Sequence, residues 1–421
     1  MIEIDIPYID THLNVALSLY VQRNNCLIQH YVETSVQHSI EKRLLVHLHV
    51  LARSIVSDES EPKDDADLFV YVSRRILSPV GEHQDQVISF ARQIFSEYAY
   101  PTGLVDAFIL FYNQDINNLL VELFKSNKEL RSTIITIWHY RNQEIPLGLL
   151  NQSELQKQDT NLQEAVLRYH SDRDIINIEL FQSYYRSLID NVKKENLTAD
   201  VLHASLWGGM LRQDNNILTA IRRAIELESN DKDREKYLRL AALNGNPDFL
   251  QVFSSVAENK PEFGSYLISL LGTSESIKIL FSMLQNPRIS ILIIPAWQLI
   301  TGQKLNLLPR ISLVESKQSD NYSNEDTDDI PLIADIESAK VWATSNVARW
   351  QPNTRYFHGK ECNKNNLQEL SYQLSGKIGE DVFDLLSLQH NAGLNLKLNN
   401  WVLDRYEILD SISNVNSTSS G

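Results

Sequence analysis

The sequence predicts an all-α protein, and three observations carry that prediction. Glycine and proline are scarce, 14 and 12 among 421 residues, about half their typical combined share of roughly 12%. Sandwiches, barrels and doubly wound nucleotide-binding folds need many turns, and turns consume both residues. Apolar residues recur at helical spacing along most of the chain. Finally, a short motif repeats: Leu240 to Phe253 aligns with Leu267 to Leu280 at an offset of 27 residues. Each copy reads helix, glycine (Gly245, Gly272), polar N-cap region, second helix. Leu299-Ile-Thr-Gly302 begins a third, decayed copy 30 residues after Gly272. Helix pairs repeated at such a period stack and share one core. The expected architecture is an irregular α-solenoid with a C-terminal helical cap.

The elements follow in order. From Tyr8 to Val56 two apolar faces are separated by a break at Asn24-Asn25-Cys26. One face is Leu13, Ala16, Leu17, Tyr20 and Val21. The other is Leu44, Leu45, Leu48, Leu51, Ala52 and Ile55. Residues 57–65 read as an acidic loop. Helices are expected at 68–77, 84–98, 104–111, 116–124 and 129–140, with a break at Ile145-Pro146. Further helices are expected at 162–169, 175–192, 200–207 and 217–227. Gly208-Gly209 reads as a helix end, and Glu228–Glu235 as a charged break. After the repeats, residues 315–329 contain no aliphatic side chain and read as a mobile acidic loop. Helices resume at 336–348, 367–374, 380–388 and 398–409. The expected organisation is an N-terminal helical region (1–150), the repeats (151–310), an acidic flexible loop (311–330), a C-terminal helical unit (331–412) and a disordered tail (413–421).

Charge and cysteine narrow the function. The formal charge of −15 keeps a protein soluble and favours a basic partner. It disfavours direct nucleic-acid binding, which needs a basic footprint. Cys26 and Cys362 form no metal-type spacing and fit a reducing compartment. The N-terminus lacks a basic n-region and a long apolar stretch, so no signal peptide is expected. The most apolar run, Ile289 to Trp297, is far shorter than the roughly 20 residues that span a membrane. The expected setting is therefore the cytoplasm.

Familiar catalytic signatures are missing from the sequence. It has no Walker-type loop, Gly-x-Gly-x-x-Gly, Gly-x-Ser-x-Gly, His-Glu-x-x-His or Cys-x-x-Cys. His30, His38, His47 and His49 crowd one region, but His47 and His49 diverge by about 200° on a helix. His38 and Glu41 share a face without a third ligand, so no metal and no cofactor are expected. Cys26 reads as a buried thiol, and Tyr184-Tyr185 and Phe111-Tyr112 as inter-helix packing. The run Glu325, Asp326, Asp328, Asp329 lacks the glycine and terminal glutamate of a calcium loop. It is a solvated linker or an acidic docking element for a basic partner.

Three stretches together resemble a proteobacterial family of HEAT-like repeat proteins associated with type VI secretion loci. The first is Gln22-Arg23 with Tyr31, Glu41, Arg43 and Leu44–Leu51. The second is Ala296-Trp-Gln-Leu-Ile-Thr-Gly302. The third is Asp328 to Asp335, then Trp342, Thr354-Arg-Tyr-Phe-His-Gly359 and Trp401. The resemblance implies a non-catalytic, protein-binding role in bacteria. It implies either an immunity protein that inhibits a toxin, for which the acidic charge makes a basic nuclease the natural electrostatic match, or an adaptor that loads secreted cargo. It singles out Trp342, Arg355, Tyr356 and Gly359 as structural or binding residues. Arg355 and Tyr356 are expected to fix a turn, with Asp335 or carbonyls as partners. Gly359 is expected at positive φ, and Trp342 as a core anchor. An enzyme is the third reading. It requires a deep pocket of converging Asp, Glu or His.

Overall fold

The computed structural model describes residues 8–54, 61–111, 113–173, 177–190, 197–309 and 332–418. It is all-helical, with 20 α-helices and three two-stranded antiparallel ribbons among the described residues. The chain divides into two compact units, residues 1–227 with 367–421, and residues 228–366. These units cut across the five segments read from the sequence.

The first unit opens with α1 (Ile9–Ile28), β1 (Val32–Glu33) and α2 (Thr34–Leu51). α1 runs straight through Asn24-Asn25-Cys26, where the sequence suggested a break. Arg23 and Cys26 lie on its buried face, so tertiary burial outweighs the weak helix preference of the asparagines. α3 (Asp65–Ile76) is N-capped by Asp64, which accepts from the Asp67 amide at 2.8 Å. Acidic Asp65 and Asp67 sit in its first turn and Arg74 and Arg75 in its last, matching the helix dipole. α4 (Gly81–Glu97), α5 (Thr102–Leu110), α6 (Gln114–Ser126) and α7 (Arg131–Tyr140) follow. Residues 103–110 of α5 are all buried, and α5 packs on α3 and α7. Asn113, Asp159 and Thr198 cap α6, α8 (Thr160–Ser171) and α10 (Ala199–Leu211). α9 (Glu179–Ile189) packs on α10 and on α11 (Ile217–Leu227).

Gly208 and Gly209 lie inside α10, so the expected helix end there is corrected. A Cβ on Gly208 would collide with the Phe181 ring, and one on Gly209 would meet the Tyr185 hydroxyl at 2.6 Å. These glycines let α9 and α10 approach closely. Tyr184 and Tyr185 are buried in the same packing, as expected.

The second unit contains α12 (Asp231–Asn244), α13 (Leu250–Asn259), α14 (Pro261–Leu271), α15 (Ser274–Leu284) and α16 (Ser290–Thr301). The expected charged break 228–235 yields at Asp231, because Asn230 caps α12 with bonds to the Lys232 and Asp233 amides. α14 packs on both α12 and α16, α13 packs on α14, and α15 packs on α14 and α16. The repeat grammar holds at its glycines. Gly245, Gly272 and Gly302 follow α12, α14 and α16 at φ 82°, 71° and 72°. Thr273 and Ser276 then form a capping box that starts α15. Beyond α16 come β2 (Leu307–Pro309) and β3 (Leu332–Ala334), paired Leu307 to Ala334. α17 (Ile336–Asn346), β4 (Tyr356–Phe357) and β5 (Lys360–Glu361) complete the unit.

α18 (Lys364–Gln373) carries the chain back to the first unit, which resumes at Leu367. β6 (Leu374–Ser375) pairs with β1, and α19 (Gly376–His390) contacts α1 and α10. α20 (Val402–Thr418) packs on α2 and runs six residues into the tail expected to be disordered from residue 413. Among the described residues no helix is long and apolar enough to cross a membrane.

Two glycines offer a matched test. Gly148 and Gly272 both have positive φ, but nothing approaches a Cβ on Gly148, whereas one on Gly272 strikes the Tyr356 carbonyl oxygen. Gly148→Ala is expected to cost about 1 kcal/mol from the left-handed backbone alone. Gly272→Ala is expected to cost at least twice as much in the same urea titration. Equal costs would remove the close approach at Gly272 as a determinant.

Candidate functional site

The residues singled out near the C-terminus converge on the ends of three helices. A helix leaves its last four carbonyls without intrahelical partners. In α12, α14 and α16 those carbonyls lie before Gly245, Gly272 and Gly302, and the segment 355–359 runs across all three ends. Arg355 Nη1 donates to the Leu243 carbonyl at 2.8 Å. Its Nη2 donates to Ala242 at 3.0 Å and Leu270 at 2.9 Å, and its Nε to Leu271 at 3.1 Å. One guanidinium thus holds four carbonyls on two helices. Its positive charge sits at the negative ends of both dipoles. Burial pushes its pKa below the ordinary arginine value. The Tyr356 amide then donates to Gly272 at 2.7 Å.

The third helix is reached by the β4–β5 hairpin. Its two-residue turn is His358-Gly359, at φ 53° and 76°, the signs that a type I′ turn requires. The His358 and Gly359 amides donate to the carbonyls of Leu299 at 2.7 Å and Ile300 at 2.9 Å. A Cβ on Gly359 would meet the Thr301 carbonyl oxygen at 2.7 Å. Arg355, Tyr356 and Gly359 therefore form one staple, and the expected positive φ at Gly359 is present. Asp335 plays no part in it. That carboxylate caps α17 through the Ser338 amide at 3.0 Å and hydroxyl at 2.6 Å.

Trp342 is a correction. It is half-buried rather than a core anchor. It stands edge-on between Trp297, at 5.8 Å, and Trp350, at 6.1 Å. The fully buried member is Trp297, and Trp350 stacks on Tyr356 at 4.1 Å. The acidic candidates Glu325, Asp326, Asp328 and Asp329 lie outside the described residues.

The same unit contains an open groove of about 610 Å³ between α12 and α13. Its floor is Leu238, Val252, Val256 and Phe263. Asp231, Arg234 and Glu235 rise from α12, and Gln251, Ser255 and Asn259 from α13. Asp231 and Glu235 are one turn apart on a helix, so both carboxylates face one way. The Lys260 ammonium sits between them, 3.0 Å from an oxygen of each. Hydrogen bonds to Glu235 and then Asp231 raise its pKa.

The first unit buries several charged groups in hydrogen-bonded networks. Glu41 accepts from Arg23 Nε at 3.1 Å, Gln37 Nε2 at 2.8 Å and the Val402 amide at 2.7 Å. Arg23 also donates to the Asn399 carbonyl, and Arg405 reaches Gln37 at 3.1 Å. These bonds tie α1 and α2 to the chain's return through α20. Asp172 accepts from His139 Nε2 at 2.6 Å and Lys397 Nζ at 2.7 Å. Tyr20 donates to Asp106 at 2.6 Å. His47 pairs with His12, Nδ1 to Nδ1, at 2.9 Å, a partner the crowded-histidine reading did not include. Among the described residues no cluster of three His, Cys, Asp or Glu could hold a metal ion. Cys26 is buried, and burial raises its pKa.

Sequence reasoning found Arg355 and offered carbonyls or Asp335 as its partners, but it did not identify the helix-end carbonyls it serves, and it missed the groove. One signal was available. Asp231, Glu235 and Leu238 share a helical face, with Val252 and Val256 on the next helix. That pattern places an apolar floor beside two carboxylates.

No family model, curated protein or solved structure matches the chain.

Proposed function

We propose that the chain is a non-catalytic protein-binding protein, an irregular α-solenoid of HEAT-like helix pairs. Its proposed role is that of a cytoplasmic immunity protein that binds and inhibits a toxin of a type VI secretion system. The observation that carries the binding reading is the stacked row α12, α14, α16, with α13 and α15 packed along it. Three equivalent glycine-ended helices held by one staple repeat a structural unit, and stacked units build extended binding surfaces. The secretion-system assignment rests on the resemblance carried by Ile300-Thr301-Gly302, Trp342 and Arg355-Tyr356-x-x-Gly359. The charge of −15 favours a basic toxin, for which a nuclease domain is the natural electrostatic match.

Co-expression with the product of the adjacent gene tests this reading. A stable complex together with loss of toxicity is the expected result. A complex that leaves toxicity intact moves the protein to cargo loading. Failure to bind any neighbouring product overturns both the immunity and the cargo-loading assignments.

A further inference from the structure

We propose that the groove between α12 and α13 seats a lysine- or arginine-bearing amphipathic helix of a protein partner. This names a docking surface and rests on the protein-binding reading above. The groove runs from Asp231 to Leu238 on one wall and from Gln251 to Asn259 on the other. Those spans are about 10–12 Å at 1.5 Å per residue, which accommodates two turns of a partner helix. The floor of Leu238, Val252, Val256 and Phe263 takes an apolar stripe, the usual mode of helix-in-groove recognition.

The chain itself shows which charge the rim accepts. Lys260 places a primary ammonium between Asp231 and Glu235, and Asp248 adds a third carboxylate to the lining. The lysine is an internal occupant of the seat that a partner's lysine or arginine would fill. Its side chain is exposed, as is much of Asp231, so a partner can displace it. Arg234, also on the rim and exposed, restricts the partner's register by repelling a second cation there.

The test uses the full chain and a synthetic 14-residue amphipathic helix of leucine and lysine. Its control is the same peptide with glutamate for lysine. The lysine peptide is expected to bind saturably at one site, with affinity falling as salt rises, and the glutamate peptide is expected not to bind. Lys260→Ala removes the internal competitor, so the lysine peptide should bind at least threefold more tightly. Ser255→Trp fills the groove from an exposed position and should weaken binding at least tenfold. Glu235→Gln should weaken it at least threefold. Smaller effects in these variants, or equal binding of the two peptides, would overturn the proposal. If the Ser255→Trp chain still captures the adjacent gene product with unchanged affinity, the groove is wrong while the protein-binding reading stands. If the chain binds the peptide but no neighbouring product, the groove stands and the assigned partner falls.

Discussion

Arg355→Met should lower the stability of the unit formed by residues 228–366 by about 3–5 kcal/mol, the scale of breaking a buried, charge-assisted hydrogen-bond network. Methionine keeps much of the aliphatic stem but supplies no donor. The carbonyls of Ala242, Leu243, Leu270 and Leu271 would lose the guanidinium that serves all four. Arg355→Lys should fall between the two. An ammonium is a compact point donor and cannot reproduce the planar fork that spans two helices. The effect should also be local. Hydrogen exchange should accelerate together in the last turns of α12 and α14, while the capping box that starts α15 stays protected. An unfolding free energy for Arg355→Met within about 1 kcal/mol of the wild type, from urea titration, would show that the staple is dispensable. Uniform acceleration across the unit would show that it does not act at these helix ends.

Much of this architecture was legible because local rules and global packing agree. The glycines at 245, 272 and 302 sit at helix ends because the left-handed cap geometry excludes most other residues. Such a constraint leaves a mark at a fixed place in the sequence. Helix boundaries near Asp64, Asn113, Asp159, Thr198 and Asp335 were marked in the same way by capping side chains. The errors arose where tertiary contacts override local preference. Asn24-Asn25 stays helical because Arg23 and Cys26 beside it are buried. Positions 208 and 209 are glycine within a helix because Phe181 and Tyr185 occupy the space that side chains there would need. Arg355 was legible as a hydrogen-bonding centre, but its acceptors lie more than 80 residues away. No local pattern records a contact of that separation. The groove was hidden for a related reason: its floor residues also fit ordinary amphipathic helices, and only the tertiary structure brings Leu238, Val252, Val256 and Phe263 to one groove.

Acidification from pH 6.5 to pH 4 should destabilise the first unit, with His139 and His170 as the principal causes. Both are buried, and both are held near pKa 4, against an unfolded value of about 6.5. Burial is the main cause for each. Lys397 adds to it at His139, while Arg212 and Arg173 add to it at His170. Asp172 acts in the opposite direction on His139 but does not offset burial. A histidine whose folded pKa is depressed stays neutral in the native state and takes up a proton on unfolding. Its contribution is therefore complete above pH 6.5 and is lost as pH falls towards 4. The loss approaches roughly 3 kcal/mol per histidine at the lower end of that window. Asp172, held below the carboxylate range by Lys397 and His139 against burial, loses its contribution only at still lower pH. Asp106, raised by burial, opposes the trend by becoming easier to bury as it protonates. The urea midpoint measured from pH 7 to pH 4.5 should fall steadily in the wild type. His170→Gln should flatten that slope by about one proton, because glutamine stays neutral throughout. His139→Gln should do the same, even if its midpoint is lower at pH 7 through loss of the bond to Asp172. Slopes identical to the wild type in both variants would assign the acid sensitivity to other groups.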